Sequence, residues 1–201
     1  MNHGGARRED NGGMDIAYLS SLRRRMRALH SLYEDATATM GADHVNAVTV
    51  PGVLPIAFSL VHFLMIEDTS LAFAGGPAPL YGPNWAEAME LAVPDDGKHR
   101  SVEDMMAQRI GNYAAYLDYQ TQVFAKTEEH LAQLDPSTLD DIVIAFPYPA
   151  TIASTFSARV GGESGITRSD ALECWIYQHG LRHMGEIEHA RALVGLGGMT
   201  S

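Results

Sequence analysis

The sequence predicts an all-α protein in which four long helices form a four-helix bundle with one long crossover. In four separate stretches, apolar residues recur at the three- and four-residue spacing of one helix face. Glycine or proline follows each of these stretches, as is typical where a helix ends. A proline-rich connection over residues 77–100 separates the second stretch from the third. Side chains from facing helices converge in the core of a bundle, so we expect any site to lie there.

The second helix is the most apolar part of the chain. Pro55 suits its first turn, and the residues from Ile56 to Ile66 are apolar on nearly every side, so we expect this helix to be buried. The expected positions of the four helices are, approximately, residues 15–40, 54–74, 101–135 and 169–194.

The third helix and the connection after it are predicted from local signals. Ser101 and Asp104 have the spacing of a capping box, so we expect the third helix to begin at Ser101. Within residues 137–168, the stretches 142–146 and 151–160 are rich in β-branched and aromatic residues, which predicts a short hairpin or an irregular flap.

Length, charge and cysteine content restrict the class of protein. The 201 residues suffice for one domain, which we place at residues 14–198 after a polar, glycine-rich lead of residues 1–13 that we expect to be disordered. The formal net charge of −11 disfavours nucleic acid as a partner. No apolar run reaches the length of about 18 residues that a membrane span needs. The single cysteine, Cys174, fits a reducing cytoplasm, and we expect it to be a small buried side chain rather than a metal ligand.

Three histidines are the strongest indication of a functional site in the sequence. His179 and His183 are four residues apart on the fourth helix, so both imidazoles lie on one face, roughly 6 Å apart, and can bind one metal ion. His62 lies in the middle of the apolar second helix, where an imidazole without a partner would be costly. We therefore predict one divalent metal ion bound by His62, His179 and His183. Three protein ligands leave a coordination position open, which is typical of catalytic rather than structural zinc.

Carboxylates near these histidines are weaker candidates. Glu186 follows His183 by three residues, which makes it a candidate catalytic residue that orients a water molecule or acts as a general base. The alternative is that Glu186 is an exposed or capping carboxylate. Glu67 and Asp68 follow His62 closely, and we expect both at the surface.

Two stretches resemble the DinB/YfiT-like superfamily. Residues 179–187, with the pattern HxxxHxGEI, resemble its last helix, and residues 54–62 are similar to its second helix, which carries the first metal-binding histidine. The resemblance covers about residues 14–198. It implies an up-down-down-up four-helix bundle, zinc or nickel at the three histidine positions, and a homodimer.

The resemblance also implies an activity. Characterised members include transferases that use low-molecular-weight thiols such as bacillithiol or mycothiol, an isomerase and some hydrolases. We expect a cytoplasmic, metal-dependent enzyme that transfers a low-molecular-weight thiol to a small electrophilic substrate, with no nucleic-acid or membrane partner. A metal-dependent hydrolase of a small molecule and a non-catalytic helical binding protein with structural histidines remain alternatives. Residues 137–168 are longer than in the commoner family pattern, and we expect them to flank the mouth of the site.

A di-iron carboxylate bundle is the nearest structural rival. It needs a Glu-x-x-His pair on each of two helices, and a further glutamate from each of the other two. The chain offers one such pair, Glu186 and His189, without a second, so we disfavour this class.

Overall fold

The computed structural model describes residues 6–198 and is mostly helical, which agrees with the predicted all-α class. Its α-helices are α1 (Ala6–Ala38), α2 (Ala42–Val45), α3 (Ile56–Phe73), α4 (Pro83–Ala88), α5 (Val102–Met106), α6 (Tyr113–Gln133), α7 (Phe156–Gly161), α8 (Arg168–Ala171) and α9 (Gln178–Leu193). Two short 3₁₀ helices cover Pro136–Thr138 and Gly162–Ser164, and two short antiparallel strands are β1 (Ile142–Ile144) and β2 (Ile166–Thr167). A π-helix, Leu172–Tyr177, joins α8 to α9. We call the continuous segment Arg168–Leu193 the C-terminal helix.

Helix α3 lies at the centre of the structure. It packs against α6 and the C-terminal helix, and its Phe63 stacks on Tyr33 of α1 with 4.0 Å between ring centroids. By length and composition α3 could cross a membrane, but 67% of its apolar window is buried inside the protein. Burial of this kind is typical of the core helix of a soluble protein, and it matches the expectation for the second helix.

The first helix is longer than the sequence analysis predicted. Helix α1 begins at Ala6, so residues 6–13, which we expected in a disordered lead, continue the helix. Residues 1–5 of that lead lie outside the described residues. Leu19 and Leu22 are buried in the core and hold the helix in place. Once a helix is nucleated, each further turn costs little, so polar residues can extend it.

The third long helix begins later than predicted. Its N-cap is Asn112, whose side chain accepts a hydrogen bond from a backbone amide of the first turn, and α6 therefore begins at Tyr113 rather than Ser101. Ser101 instead caps the five-residue helix α5. Between the two helices, Gln108 is fully buried and makes hydrogen bonds to both the backbone N–H and the carbonyl of Val93. These bonds replace the helical ones and keep the chain bent.

The segment over residues 137–168 contains both a strand and a helix. Residues 142–144 form β1, as predicted for this stretch. The other predicted stretch, residues 151–160, is not extended, because Thr155 caps α7 by accepting a hydrogen bond from Ala158 N. A good N-cap here outweighs the β-propensity of the flanking residues.

Asp68 is fully buried and connects three parts of the chain. Its carboxylate accepts hydrogen bonds from the backbone N–H groups of Leu80 and Tyr81 and from the Tyr119 hydroxyl, and it pairs with Lys126. It therefore joins α3 to α6 and to the long connection. The expectation that Asp68 lies at the surface is wrong, since α3 is covered on nearly every side.

Glu67 was also expected at the surface and is likewise fully buried. Its Oε1 accepts a hydrogen bond from Thr127 at 2.7 Å and lies 3.1 Å from His30 Nε2. The other ring nitrogen of His30 lies 2.9 Å from Glu128. Burial alone would lower the pKa of His30, but the carboxylates of Glu67 and Glu128 outweigh it and raise that pKa. A buried charge cluster thus joins α3 to α1 and α6.

We predict that Asp68→Asn lowers the free energy of unfolding by about 3 kcal/mol, since it leaves the Lys126 ammonium without its buried counter-charge. Urea unfolding followed by circular dichroism measures this loss. The matched control is Asp141→Asn, because the Asp141 side chain is 57% exposed where it pairs with Arg168, and exposed pairs contribute about 1 kcal/mol or less. Equal losses in the two variants would contradict the role of Asp68.

Candidate metal centre

The three predicted histidines meet between α3 and α9. Potential ligand nitrogens of His62, His179 and His183 all lie within 4.8 Å of one another. The ring centroids are 4.5 Å apart for His179 and His183, 4.9 Å for His62 and His183, and 5.2 Å for His62 and His179. The structure therefore brings together all three residues that the sequence analysis selected.

Two of the imidazoles are oriented by hydrogen bonds from Nδ1. His62 donates from Nδ1 to the backbone carbonyl of Asp96 at 2.5 Å, and His183 donates from Nδ1 to Glu186 Oε2 at 2.7 Å. In the neutral tautomer that makes such a bond, Nδ1 carries the proton and Nε2 offers a lone pair to a metal ion. Metal-binding histidines are usually held by such bonds to carbonyl or carboxylate groups.

The distance between the paired histidines also fits a metal ion. Nε2 of His183 lies 3.1 Å from Nε2 of His179. Two nitrogens at about 2.05 Å from a tetrahedral zinc ion would be about 3.3 Å apart. Nδ1 of His179 is buried and has no hydrogen-bond partner among the described residues. The donor set therefore suits a divalent transition metal such as zinc or nickel.

Burial and nearby charges keep two imidazoles of this cluster, those of His62 and His179, neutral. Burial lowers the pKa of His62. Burial is also the main cause that lowers the pKa of His179 to about 2, and neighbouring His183 and His62 and the charges of Arg182 and Lys98 lower it further. A neutral imidazole offers a lone pair, so His62 and His179 are ready to bind a metal ion at neutral pH.

Glu186 lies beside the cluster rather than within it. Its Oε2 accepts the hydrogen bonds of His183 and of Ser59, the latter at 3.2 Å. The bond from His183 is the main cause that lowers the pKa of the Glu186 carboxyl, although burial opposes it. The structure thus places Glu186 as a positioning residue for His183. Its predicted role as a catalytic base stays a prediction.

A cavity of about 740 Å³ opens beside the three histidines. Residues 137–168 contribute Ile144, Ile152 and Phe156 to its wall, so this segment flanks the site as expected. Trp175 of the π-helix forms another part of the wall, and its ring N–H donates to Ser157 Oγ at 2.8 Å. This bond connects the segment to the C-terminal helix.

Cys174 also lines the cavity, and it is buried as expected. Burial is the main cause that raises the pKa of its thiol to about 11, so Cys174 is a protonated thiol at neutral pH. It does not belong to the metal-ligand cluster that the described residues form. The protein therefore lacks an activated thiol of its own in this cavity.

The sequence analysis did not predict the π-helix over Leu172–Tyr177, which directly precedes the helix that carries His179. In a regular α-helix, Cys174 would be rotated by roughly 140° from His179, away from the metal-binding face. The wider π turn changes this relation, and Cys174 and Trp175 both reach the cavity. No local pattern in the sequence indicates a π-helix, because its stability depends on neighbouring segments.

Gly180 allows the close approach on which the cluster depends. A Cβ atom at this position would lie 2.7 Å from Leu29 Cδ2 and 3.0 Å from Phe63 Cε2. From the opposite helix, Tyr33 donates its hydroxyl to the Gly180 carbonyl at 2.9 Å. The C-terminal helix is thereby fixed against α1 and α3 between His179 and His183.

We predict that Gly180→Ala lowers the free energy of unfolding by about 1–3 kcal/mol through overpacking and weakens metal binding. The matched control is Gly185→Ala on the same helix, where an added Cβ meets nothing within 4 Å. The control should be neutral or more stable by up to about 1 kcal/mol, since alanine favours helix. Thermal unfolding and a competitive zinc titration measure both effects. Equal behaviour of the two variants would contradict the packing role of Gly180.

Comparisons with known proteins bear on the fold alone. The chain matches no model of a known protein family and none of the curated proteins. It is similar in structure to a conserved protein from Enterococcus faecalis, whose crystal structure gives a TM-score of 0.70 at 19% sequence identity. The similarity covers 87% of this chain and 95% of that one. It shows that the two proteins share a fold.

Proposed function

We propose that this protein is a metal-dependent enzyme that transfers a low-molecular-weight thiol to a small electrophilic substrate. One observation supports the proposal above all. His62, His179 and His183 converge at the wall of a cavity large enough for two small molecules, and hydrogen bonds already orient two of the rings.

The residues around the cavity would have different roles in the reaction. His62, His179 and His183 would hold zinc or nickel, which suit imidazole nitrogen. Such an ion supplies positive charge, which lowers the pKa of a thiol and favours its nucleophilic thiolate form at neutral pH. Glu186 and the Asp96 carbonyl keep two of the imidazoles in the required tautomer. Apolar side chains in the wall would contact the apolar part of a bound substrate.

The hydrogen bonds and the lowered pKa of Glu186, a carboxylate beside the histidines, favour thiol transfer over hydrolysis. Hydrolysis at a histidine-bound metal commonly uses a carboxylate as general base. Glu186 Oε2 already accepts two hydrogen bonds, and its lowered pKa makes it a weak base. A thiolate needs no such base once its proton is lost. Because Cys174 remains protonated, the thiol would come from a small molecule.

We also propose that the four long helical segments form a DinB-like, up-down-down-up four-helix bundle. Contacts between α1 and α6, α3 and α6, α3 and α9, and α1 and α9 support this arrangement. Residues 77–100 would be the long crossover, and a cytoplasmic homodimer would be the working form. A non-catalytic binding protein is the alternative, in which the histidines only stabilise the fold.

We predict that protein prepared without a histidine tag contains about one divalent metal ion per chain, as one three-histidine site requires. His183→Ala should lose the metal, because it removes one of three ligands. His189→Ala is the control, since His189 is exposed on the same helix and lies outside the cluster. Elemental analysis measures the metal content. Full metal content in His183→Ala would exclude the proposed site, and stability unchanged by chelators would favour the non-catalytic alternative.

We predict that low-molecular-weight thiols shift the visible spectrum of the cobalt-substituted protein, because a thiolate that joins the three imidazoles changes the ligand field. 2-Mercaptoethanol and ethylene glycol form a matched pair that differs only in the thiol. A panel of epoxides and halogenated aromatics then tests transfer. If no thiol changes the spectrum while an ester or amide is cleaved in a metal-dependent way, the hydrolase alternative is correct.

A further inference from the structure

Two cations line the cavity without a partner in the part of the chain that the structure describes. Arg182 lies on α9 between two of the histidines, and Lys98 lies in the long connection. Both residues are exposed, and neither side chain forms a hydrogen bond or ion pair with another residue between positions 6 and 198. The chain has 25 acidic and 14 basic residues, so acidic residues that could pair with a cation are plentiful elsewhere in the chain.

Among the described residues, neither carboxylate that shares the cavity forms an ion pair with Arg182 or Lys98. Glu186 Oε2 accepts hydrogen bonds from His183 and Ser59. Asp96 Oδ1 accepts a hydrogen bond from the backbone N–H of Lys98 at 2.9 Å rather than from its ammonium group. The guanidinium of Arg182 and the ammonium of Lys98 are therefore free to bind an anion that enters the cavity.

The rest of the cavity wall is largely apolar. Phe73 is 63% exposed and Phe156 is 57% exposed where they line the cavity. Exposed aromatic side chains at a cavity are typical of a surface that binds an apolar group. The further apolar residues of the wall are Ile66, Ile144, Ile152 and Trp175.

We propose that the cavity selects small organic anions, with the apolar body of the ligand against these side chains and its carboxylate bound by Arg182 and Lys98. A guanidinium binds a carboxylate through paired, charge-assisted hydrogen bonds, and a neutral molecule of the same shape lacks them. This inference names the substrate class for the proposed function, and it rests on that function only in taking the bound anion to be a substrate.

The test compares phenylacetate, 4-phenylbutanoate and hexanoate with their neutral amides by isothermal titration calorimetry on the metal-loaded protein. We expect at least one anion to bind more tightly than its amide. The double variant Arg182→Gln/Lys98→Gln should weaken binding of that anion at least roughly tenfold and leave its amide unchanged. The control is Arg24→Gln, because Arg24 is exposed on α1, does not line the cavity, and contacts Ser20.

Repeating the titrations on metal-depleted protein separates this inference from the proposed function. A carboxylate that binds only to the metal ion would lose its advantage over the amide in that form, and this result would overturn the inference. Preference for the anion in both forms supports it, even if the metal proves to have no catalytic role. Equal binding of every anion and its amide, or an unchanged affinity in the double variant, would also overturn it.

Discussion

The close contact of the C-terminal helix with α1 and α3 at Gly180 is the constraint on which the candidate site depends. An added Cβ atom would lie 2.7 Å from Leu29 Cδ2 and 3.0 Å from Phe63 Cε2, so either these side chains or the helix would have to shift. A shift of the helix would also move the adjacent residue, His179. Tyr33, on the same helix as Leu29, donates its hydroxyl to the Gly180 carbonyl. Packing and hydrogen bonding at Gly180 therefore help to set the geometry of the cluster.

The polar residues of α3 give this central helix one orientation. An apolar helix packed on all sides could rotate among similar arrangements, because dispersion forces have little direction. His62, Glu67 and Asp68 remove that freedom through their bonds. His62 bonds to the long connection, Glu67 to α1 and α6, and Asp68 to α6 and the long connection. Buried polar contacts of this kind specify register, as their loss would leave uncompensated charge. The rotation that satisfies Glu67 and Asp68 also directs His62 toward α9.

The helical class and the pairing of His179 with His183 follow from the sequence because both depend on local spacing. A four-residue separation on one helix places His179 beside His183 whatever the tertiary structure. The burial of Asp68 could not be predicted, since its partners come from residues 12 and more positions away. The bend before α6, which begins at Tyr113, depends likewise on Gln108, which bonds to the backbone of Val93, 15 residues earlier. No local sequence pattern predicts the π-helix, so only the structure shows that Trp175 lines the cavity.

The three histidines and part of the remaining cavity wall come from different parts of the chain, and this separation has a physical basis. The histidines lie on α3 and α9, where helix packing holds the backbone in place. Another part of the wall comes from residues 137–168, whose contact with the C-terminal helix includes the bond from Trp175 to Ser157. Loop-rich segments tolerate substitution without disturbing a core. A change of wall residues can therefore alter which molecule the cavity accepts while the three imidazoles keep their arrangement.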